Sequence, residues 1–157
     1  MSGNAPYDRY VNGDRTALSA EAQTGLKVFR GKGNCTACHV GPNFTDEKLH
    51  NTGIAWAGPA GRSEAAGSFR DDGAAAISGK PEDRGAFKTP TLREIERSAP
   101  YMHDGSLASL DDVVDYYDRG GNRHALLDHE VRPIGLTASE KHALIAFLRS
   151  LSGNIAR

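Results

Sequence analysis

The 157-residue chain has only two cysteines and one tryptophan, no long apolar run, and no excess of charge of either sign. Each shortage excludes something. Two cysteines cannot build a disulfide-stapled framework. A four-ligand zinc site would need a second Cys or His pair at short spacing, yet His50, His103, His124, His129 and His142 are scattered singly. No stretch approaches the roughly 20 apolar residues of a membrane span. The opening Met1-Ser-Gly-Asn-Ala-Pro lacks the apolar core of a signal peptide. A formal net charge of −1 provides no field to hold nucleic acid or anionic lipid. The length suits one domain, the 38% hydrophobic content a modest core, and the 18 glycines much loop.

What is present is Cys35-Thr36-Ala37-Cys38-His39. Two thiols three positions apart can each add to one vinyl group of the same porphyrin. His39 is then held under the ring, where a neutral imidazole nitrogen can bind iron. A redox C-x-x-C belongs beside a strand–helix unit of thioredoxin type, and no such pattern is visible. The motif points to one covalent haem c, with Cys35 and Cys38 as thioethers and His39 as proximal ligand. Both cysteines are then consumed and no disulfide is expected. Thioether attachment in bacteria takes place outside the cytoplasmic membrane. A periplasmic or otherwise exported location is therefore expected, for a trimmed mature form or a piece cut from a longer protein.

Helical periodicity marks three segments. From Ser19 to about Gly31, Ser19 is placed to cap, Glu21 lies in the first turn, and Ala22, Gly25, Leu26 and Phe29 share a face. Gly25 on that face would admit another helix closely. Thr137-Ala-Ser-Glu140 is a capping box before the stripe Leu144, Leu148 and Leu151, with Gly153 closing the helix. Ser109 with Asp112 opens a third helix, stopped by Gly120-Gly121. The segment before Arg15 reads as irregular. Gly58 to Gly85 reads as a long loop wrapping the haem edge, a length that needs such a functional role. Arg84, Lys88 and Arg93 are candidates for pairing with haem propionates, and Phe44 and Trp56 for packing on the haem or in the core.

A haem with only His39 is either open or closed by a second side chain. The candidates are Met102, Tyr116, Tyr117 and the free histidines. Met102 is the only methionine besides Met1, so composition favours it. Periodicity favours another. Leu110, Val113, Val114 and Tyr117 form the stripe of the third helix, with Tyr116 rotated about 100° away, so Tyr117 points inward.

Gly85-Ala-Phe-Lys-Thr-Pro-Thr-Leu-Arg93, Ala99-Pro-Tyr-Met-His-Asp-Gly-Ser-Leu107 and Leu110 to Gly121 resemble the bacterial di-haem cytochrome c peroxidase and MauG family. Arg132-Pro-Ile-Gly-Leu-Thr137 and Ala146-Phe-Leu-Arg-Ser-Leu151 continue the likeness. It covers about Ser19 to Gly153 and matches the family's C-terminal haem domain. The resemblance implies an all-α, c-type cytochrome domain with long haem-wrapping loops over 19–153, after an irregular segment 1–18 and before a tail 154–157. It also implies an iron ligand fourteen residues after the His of Pro-Tyr-x-His-Asp-Gly. Counting from His103 lands on Tyr117, with Met102 and His103 left as haem-packing groups. A phenolate would favour ferric iron. Carbonyls of Ser98 and Pro100 map to a calcium site, where oxygen suits a hard cation. Gly41-Pro42 resembles other c-type cytochromes, in which the Pro carbonyl accepts the proximal His proton.

The function so implied is electron transfer within a peroxidase or MauG-like oxidoreductase. It would be fed by an electron donor and would serve a second haem domain or a redox protein partner. The alternatives are a stand-alone mono-haem electron carrier and a peroxide- or gas-reactive haem with a labile Tyr117.

Overall fold

A computed structural model of the chain describes residues 3–58 and 67–154. Among these residues five α-helices run in the order α1 (Pro6–Val11), α2 (Ala20–Arg30), α3 (Ala75–Ser78), α4 (Leu110–Asp118) and α5 (Ala138–Arg149). Four strands of two residues form two antiparallel ladders. β1 (Leu49–His50) pairs with β4 (Phe87–Lys88), and β2 (Trp56–Ala57) with β3 (Ser68–Phe69). The all-α expectation is therefore overturned: the fold is mixed α/β. Two-residue strands from segments far apart in sequence carry no local alternation, so periodicity could not reveal them.

The three long helices start as their caps dictate. Ser19 Oγ accepts from the Ala22 amide at 3.1 Å. Ser109 with Asp112 and Thr137 with Glu140 close reciprocal capping boxes. α5 stops at Arg149, with Ser150 at its C-cap ahead of the expected Gly153.

The core is the crossing of α2 and α5. A Cβ on Gly25 would lie 1.8 Å from the Ala143 carbonyl oxygen and 2.8 Å from the Phe147 Cβ. Hydrogen is thus all that fits there, as that helical face led one to expect. Phe29 and Phe147 meet at 5.0 Å between ring centroids beside this contact. Leu26, Leu144, Leu148 and Leu151 belong to the same buried apolar cluster.

Two segments differ from expectation. Residues 1–18 are not irregular throughout: α1 starts with Pro at its first turn, and Ala5 N–H donates to Asp8 Oδ2 at 3.0 Å. A six-residue helix is too short for a periodic signal. The 58–85 stretch, whose residues 59–66 lie outside the described residues, is no plain loop. It contains β3, α3 and a 3-10 turn at Pro81–Asp83. Of the tail, residues 155–157 also lie outside the described residues. Among the described residues no helix is long and apolar enough to cross a membrane.

Gly25→Ala separates packing from propensity. In an open helix this change stabilises by about 1 kcal/mol. Here we expect a loss of about 1–3 kcal/mol from overpacking, with Tm falling about 2–4 °C per kcal/mol in a chain of this size. Thermal unfolding monitored by circular dichroism reads the sign.

Candidate functional site

Beyond α2 the chain turns at once. Gly33 N–H donates back to Val28 O at 2.8 Å, and Asn34 takes a left-handed conformation (φ 53°). The 3-10 turn Cys35–Ala37 follows, and His39 N–H donates to Cys35 O at 2.9 Å. This turn sets Cys35, Cys38 and His39 on the wall of a cavity of about 450 Å³. Phe29, Ile54, Leu92, Val114, Leu144 and Leu148 supply apolar surface to the same cavity, and Tyr117 enters it from α4.

The electrostatics follow from that apolar lining. Burial pushes the Cys35 thiol up to about 12, helped by neighbouring Cys38. Burial, then the carboxylates of Asp128, Asp46 and Glu130, pushes Cys38 up to about 11. The two thiols are free and not bonded to each other. A redox-active C-x-x-C needs a lowered thiol pKa, so this pair has the wrong chemistry for disulfide exchange. Burial lowers the His39 pKa, against the pull of its hydrogen bond to Phe44. The imidazole is therefore neutral, as a metal ligand must be. Its Nδ1 lies 2.8 Å from Phe44 O. A carbonyl can only accept, so the proton sits on Nδ1 and Nε2 keeps its lone pair. The acceptor is Phe44 O and not the carbonyl of Pro42, which instead accepts from Arg93 Nε at 2.8 Å.

Tyr117 is raised above the ordinary tyrosine range. Burial is the main cause, with Tyr116, Cys35 and Cys38 adding to it and a hydrogen bond with Thr52 opposing. Tyr116 does not turn away from the core. It is 1% exposed, donates to Thr52 O at 2.9 Å and accepts from the Asn122 amide at 3.3 Å. α4 is buried on two sides, so both tyrosines face inward, but only Tyr117 reaches the cavity.

The other expected residues divide. Lys88, Met102, His103, Ser98 and Pro100 line the cavity. Met102 sits at φ 69°, His103 stacks on Phe87 with centroids 3.7 Å apart, and Lys88 pairs with Glu47. Arg84 and Arg93 are elsewhere. Arg84 Nε pairs with Asp72 at 2.6 Å, and Arg93 pairs with Asp8 at 2.8 Å. Phe44 joins Tyr7, Phe29 and Phe147 in the core, and Trp56 packs between Phe69 and His124. Neither lines the cavity, and no described residue of 58–85 does so. Among the described residues no cluster of three His, Cys, Asp or Glu side chains could hold a metal ion.

Sequence reasoning missed one feature of the wall. His50 lies between two carboxylates, Nδ1 at 2.5 Å from Asp128 and Nε2 at 2.9 Å from Asp46. Asp128 comes from a segment 78 residues away, and only the Asp46–His50 spacing could have hinted at it.

The donor set suits a covalently held haem. Protonated thiols can each add S–H across a vinyl group, a neutral imidazole offers a lone pair, and the apolar walls match a porphyrin face. The relatives agree with that chemistry. No protein-family model matches the chain. It is 41% identical over 170 residues to a cytochrome-c peroxidase of Denitromonas iodatirespirans, covering 98% of this chain and 45% of that protein. It is 39% identical over 156 residues to the methylamine utilization protein MauG of Methylorubrum extorquens, covering 99% and 41%. A crystal structure of a MauG-like protein associated with microbial copper homeostasis superposes with a TM-score of 0.84 at 32% identity, covering 98% of this chain and 53% of that one. The chain thus spans under half the length of the two curated relatives.

The His50 bridge makes stability depend on pH from both sides. Burial opposes the His50 charge, but hydrogen bonds to Asp46 and Asp128 win and raise its pKa above 6.5. Its contribution is complete below 6.5 and fades as pH climbs through the raised value. Asp46 and Asp128 are lowered from 3.8, against burial, chiefly by hydrogen bonds that include His50. Their contribution is complete above 3.8 and fades as pH drops through the lowered values. Urea midpoints should therefore peak between these limits, and His50→Gln should remove the alkaline limb at a loss of about 1.5–3 kcal/mol.

Proposed function

Over nearly its whole length the chain is a homologue of the bacterial di-haem cytochrome c peroxidase and MauG family, and from that premise we propose that it is a haem c-binding electron-transfer domain equivalent to the C-terminal haem domain of those proteins, with His39 and Tyr117 as the axial pair. One observation carries this reading: Cys35, Cys38, His39 and Tyr117 converge on one apolar cavity.

Haem bound there supplies one-electron redox chemistry. The chain's own residues do the rest. Cys35 and Cys38 would hold the macrocycle as thioethers, the S–H of each thiol adding across one vinyl group. His39 holds its proton on Nδ1 against Phe44 O and presents Nε2. Tyr117, kept protonated by its surroundings, would lose its phenol proton to solvent only where ferric iron stabilised the phenolate. The apolar walls would shield a bound haem from water, and the low dielectric there would favour the lower total charge of a phenolate–ferric pair. Lys88, paired with Glu47, and His103, stacked on Phe87, line the same cavity and would border a bound porphyrin. Carbonyls of Ser98 and Pro100 are the calcium ligands this reading carries.

With His39 and Tyr117 both holding the iron, the site would suit relay. Cleavage of peroxide would fall to a second haem, in the remainder of a longer protein or in a partner. A stand-alone carrier uses the same site with no such partner. Met102 also opens on the cavity and is the competing axial ligand.

Optical spectra of the ferric protein decide the ligand. Tyr117→Phe should convert the haem from low to high spin, while Met102→Leu leaves it unchanged and the wild type lacks a far-red sulfur-to-iron band. An unchanged Tyr117→Phe spectrum overturns the assignment. Cys35→Ser and Cys38→Ser should each leave a single thioether, and the double variant should lose haem to acidic acetone. Rapid mixing with hydrogen peroxide separates relay from enzyme: a relay alone shows no fast spectral change.

A further inference from the structure

We infer that the segment Thr89 to Arg93 is a positioning element for His39, acting through the turn carbonyl that receives the imidazole proton. The inference rests on the haem reading above.

The turn between Gly41 and Thr45 cannot hold its shape alone, because Phe44 sits at φ 53°, a left-handed conformation unfavourable for a bulky side chain. Each of its carbonyls has its own donor. Gly41 O accepts from the Phe44 amide at 3.2 Å. Pro42 O accepts from Arg93 Nε at 2.8 Å, and Asn43 O from Thr91 Oγ1 at 2.5 Å. Phe44 O is left to His39 Nδ1 at 2.8 Å. A further tie, Thr45 Oγ1 to Thr89 O at 2.7 Å, closes the far end. The 89–93 segment thus occupies the two middle carbonyls and leaves the fourth to the imidazole. The same segment forms cavity wall through Thr89, Thr91 and Leu92.

Arg93 is itself held on several sides. Its Nη2 pairs with Asp8 Oδ1 at 2.8 Å, where the two side chains are 8% and 15% exposed. Its guanidinium lies 5.2 Å from the Phe44 ring centroid and 5.7 Å from that of Tyr7. Its Nη1 is buried with no hydrogen-bond partner among the described residues. A buried, incompletely satisfied guanidinium is a poor device for stability alone. What it contributes is a fixed planar donor at Pro42 O, which a lysine cannot reproduce.

The consequence for a bound iron is electronic. A firm hydrogen bond from Nδ1 raises the basicity of the ligating imidazole, which favours the ferric state. Loosening the turn should raise the midpoint potential, whereas deleting positive charge beside the unbalanced Asp8 should lower it. The sign therefore separates positioning from charge.

The test uses the haem-loaded chain. Thr91→Val removes the tie to Asn43 O, and with it the bond that Thr91 Oγ1 accepts from the Arg93 amide, with no change of charge. Arg93→Lys keeps the charge and removes the planar donor. For both, we expect a higher midpoint potential, up to about a tenfold shift in the ferrous-to-ferric ratio, or about 59 mV. Faster exchange of the His39 Nδ1 proton in the NMR spectrum of the ferrous protein should accompany it. Arg93→Gln, with charge and geometry both altered, should shift less than Arg93→Lys. Wild-type potential and exchange in both Thr91→Val and Arg93→Lys overturn the inference. So does a lowered potential in Arg93→Gln with Arg93→Lys unchanged, since charge alone would then act. A wild-type iron without His39 ligation overturns the haem reading and this inference with it, and is recognised before any variant is compared.

Discussion

The closeness of α2 to α5 at Gly25 and Ala143 sets nearly everything else. With no Cβ between them, the helices bring Phe29 from one and Leu144 and Leu148 from the other onto one cavity. The C-x-x-C-H turn hangs directly off the end of α2, fastened by the Gly33 amide to Val28 O at 2.8 Å. The positions of Cys35, Cys38 and His39 are thus inherited from the crossing. Separating the helices by the width of a methyl group would carry Phe29 and the thiols, which hang off α2, away from Leu144 and Leu148 of α5.

Burial explains the protonation states as one set. The same apolar lining raises both thiols and the Tyr117 phenol and lowers His39. All four groups are neutral in the chain, because each charged form would be stranded away from water. Neutrality is also what the proposed chemistry asks of them: thiols with a hydrogen to add, an imidazole with a free lone pair, and a phenol that ionises only against a metal. His50, on the same wall, behaves differently: two carboxylates outweigh its burial and favour its charged form, which they balance locally.

What the sequence revealed and what it hid divide by range. Caps at Ser19, Ser109 and Thr137 are local chemistry, and their helices begin where those residues stand. Tyr117 was found by helical spacing, because α4 is regular. The same spacing misplaced Tyr116, since a one-sided wheel cannot represent a helix buried on two sides. Phe44 and Trp56 were recognised as interior aromatics, but hydrophobicity does not say which side of a core a ring joins, and neither reaches the cavity. The ladders β1–β4 and β2–β3 join residues too distant and too few to leave a pattern. Phe44 O, as acceptor for His39, was beyond reach in another way: a backbone carbonyl has no letter, and the Pro that resembled other cytochromes was two residues away.

The N-terminal helix shows how a segment with little signal becomes part of the site. Tyr7 meets Phe44 at 5.1 Å and Phe147 at 5.8 Å between ring centroids, and its amide donates to Ser150 O at 3.1 Å. Asp8 uses one oxygen to cap its own helix at Ala5 and the other to hold Arg93. Helix α1 is therefore bound to α5 through Tyr7 and to the 41–45 turn through Arg93. A chain beginning at Ser19 would keep every residue of the haem motif. It would nonetheless lose the counter-charge of a buried arginine and the edge contact of a core ring, both within one turn of the His39 acceptor. The described residues of α1 thus brace the 41–45 turn that carries the His39 acceptor.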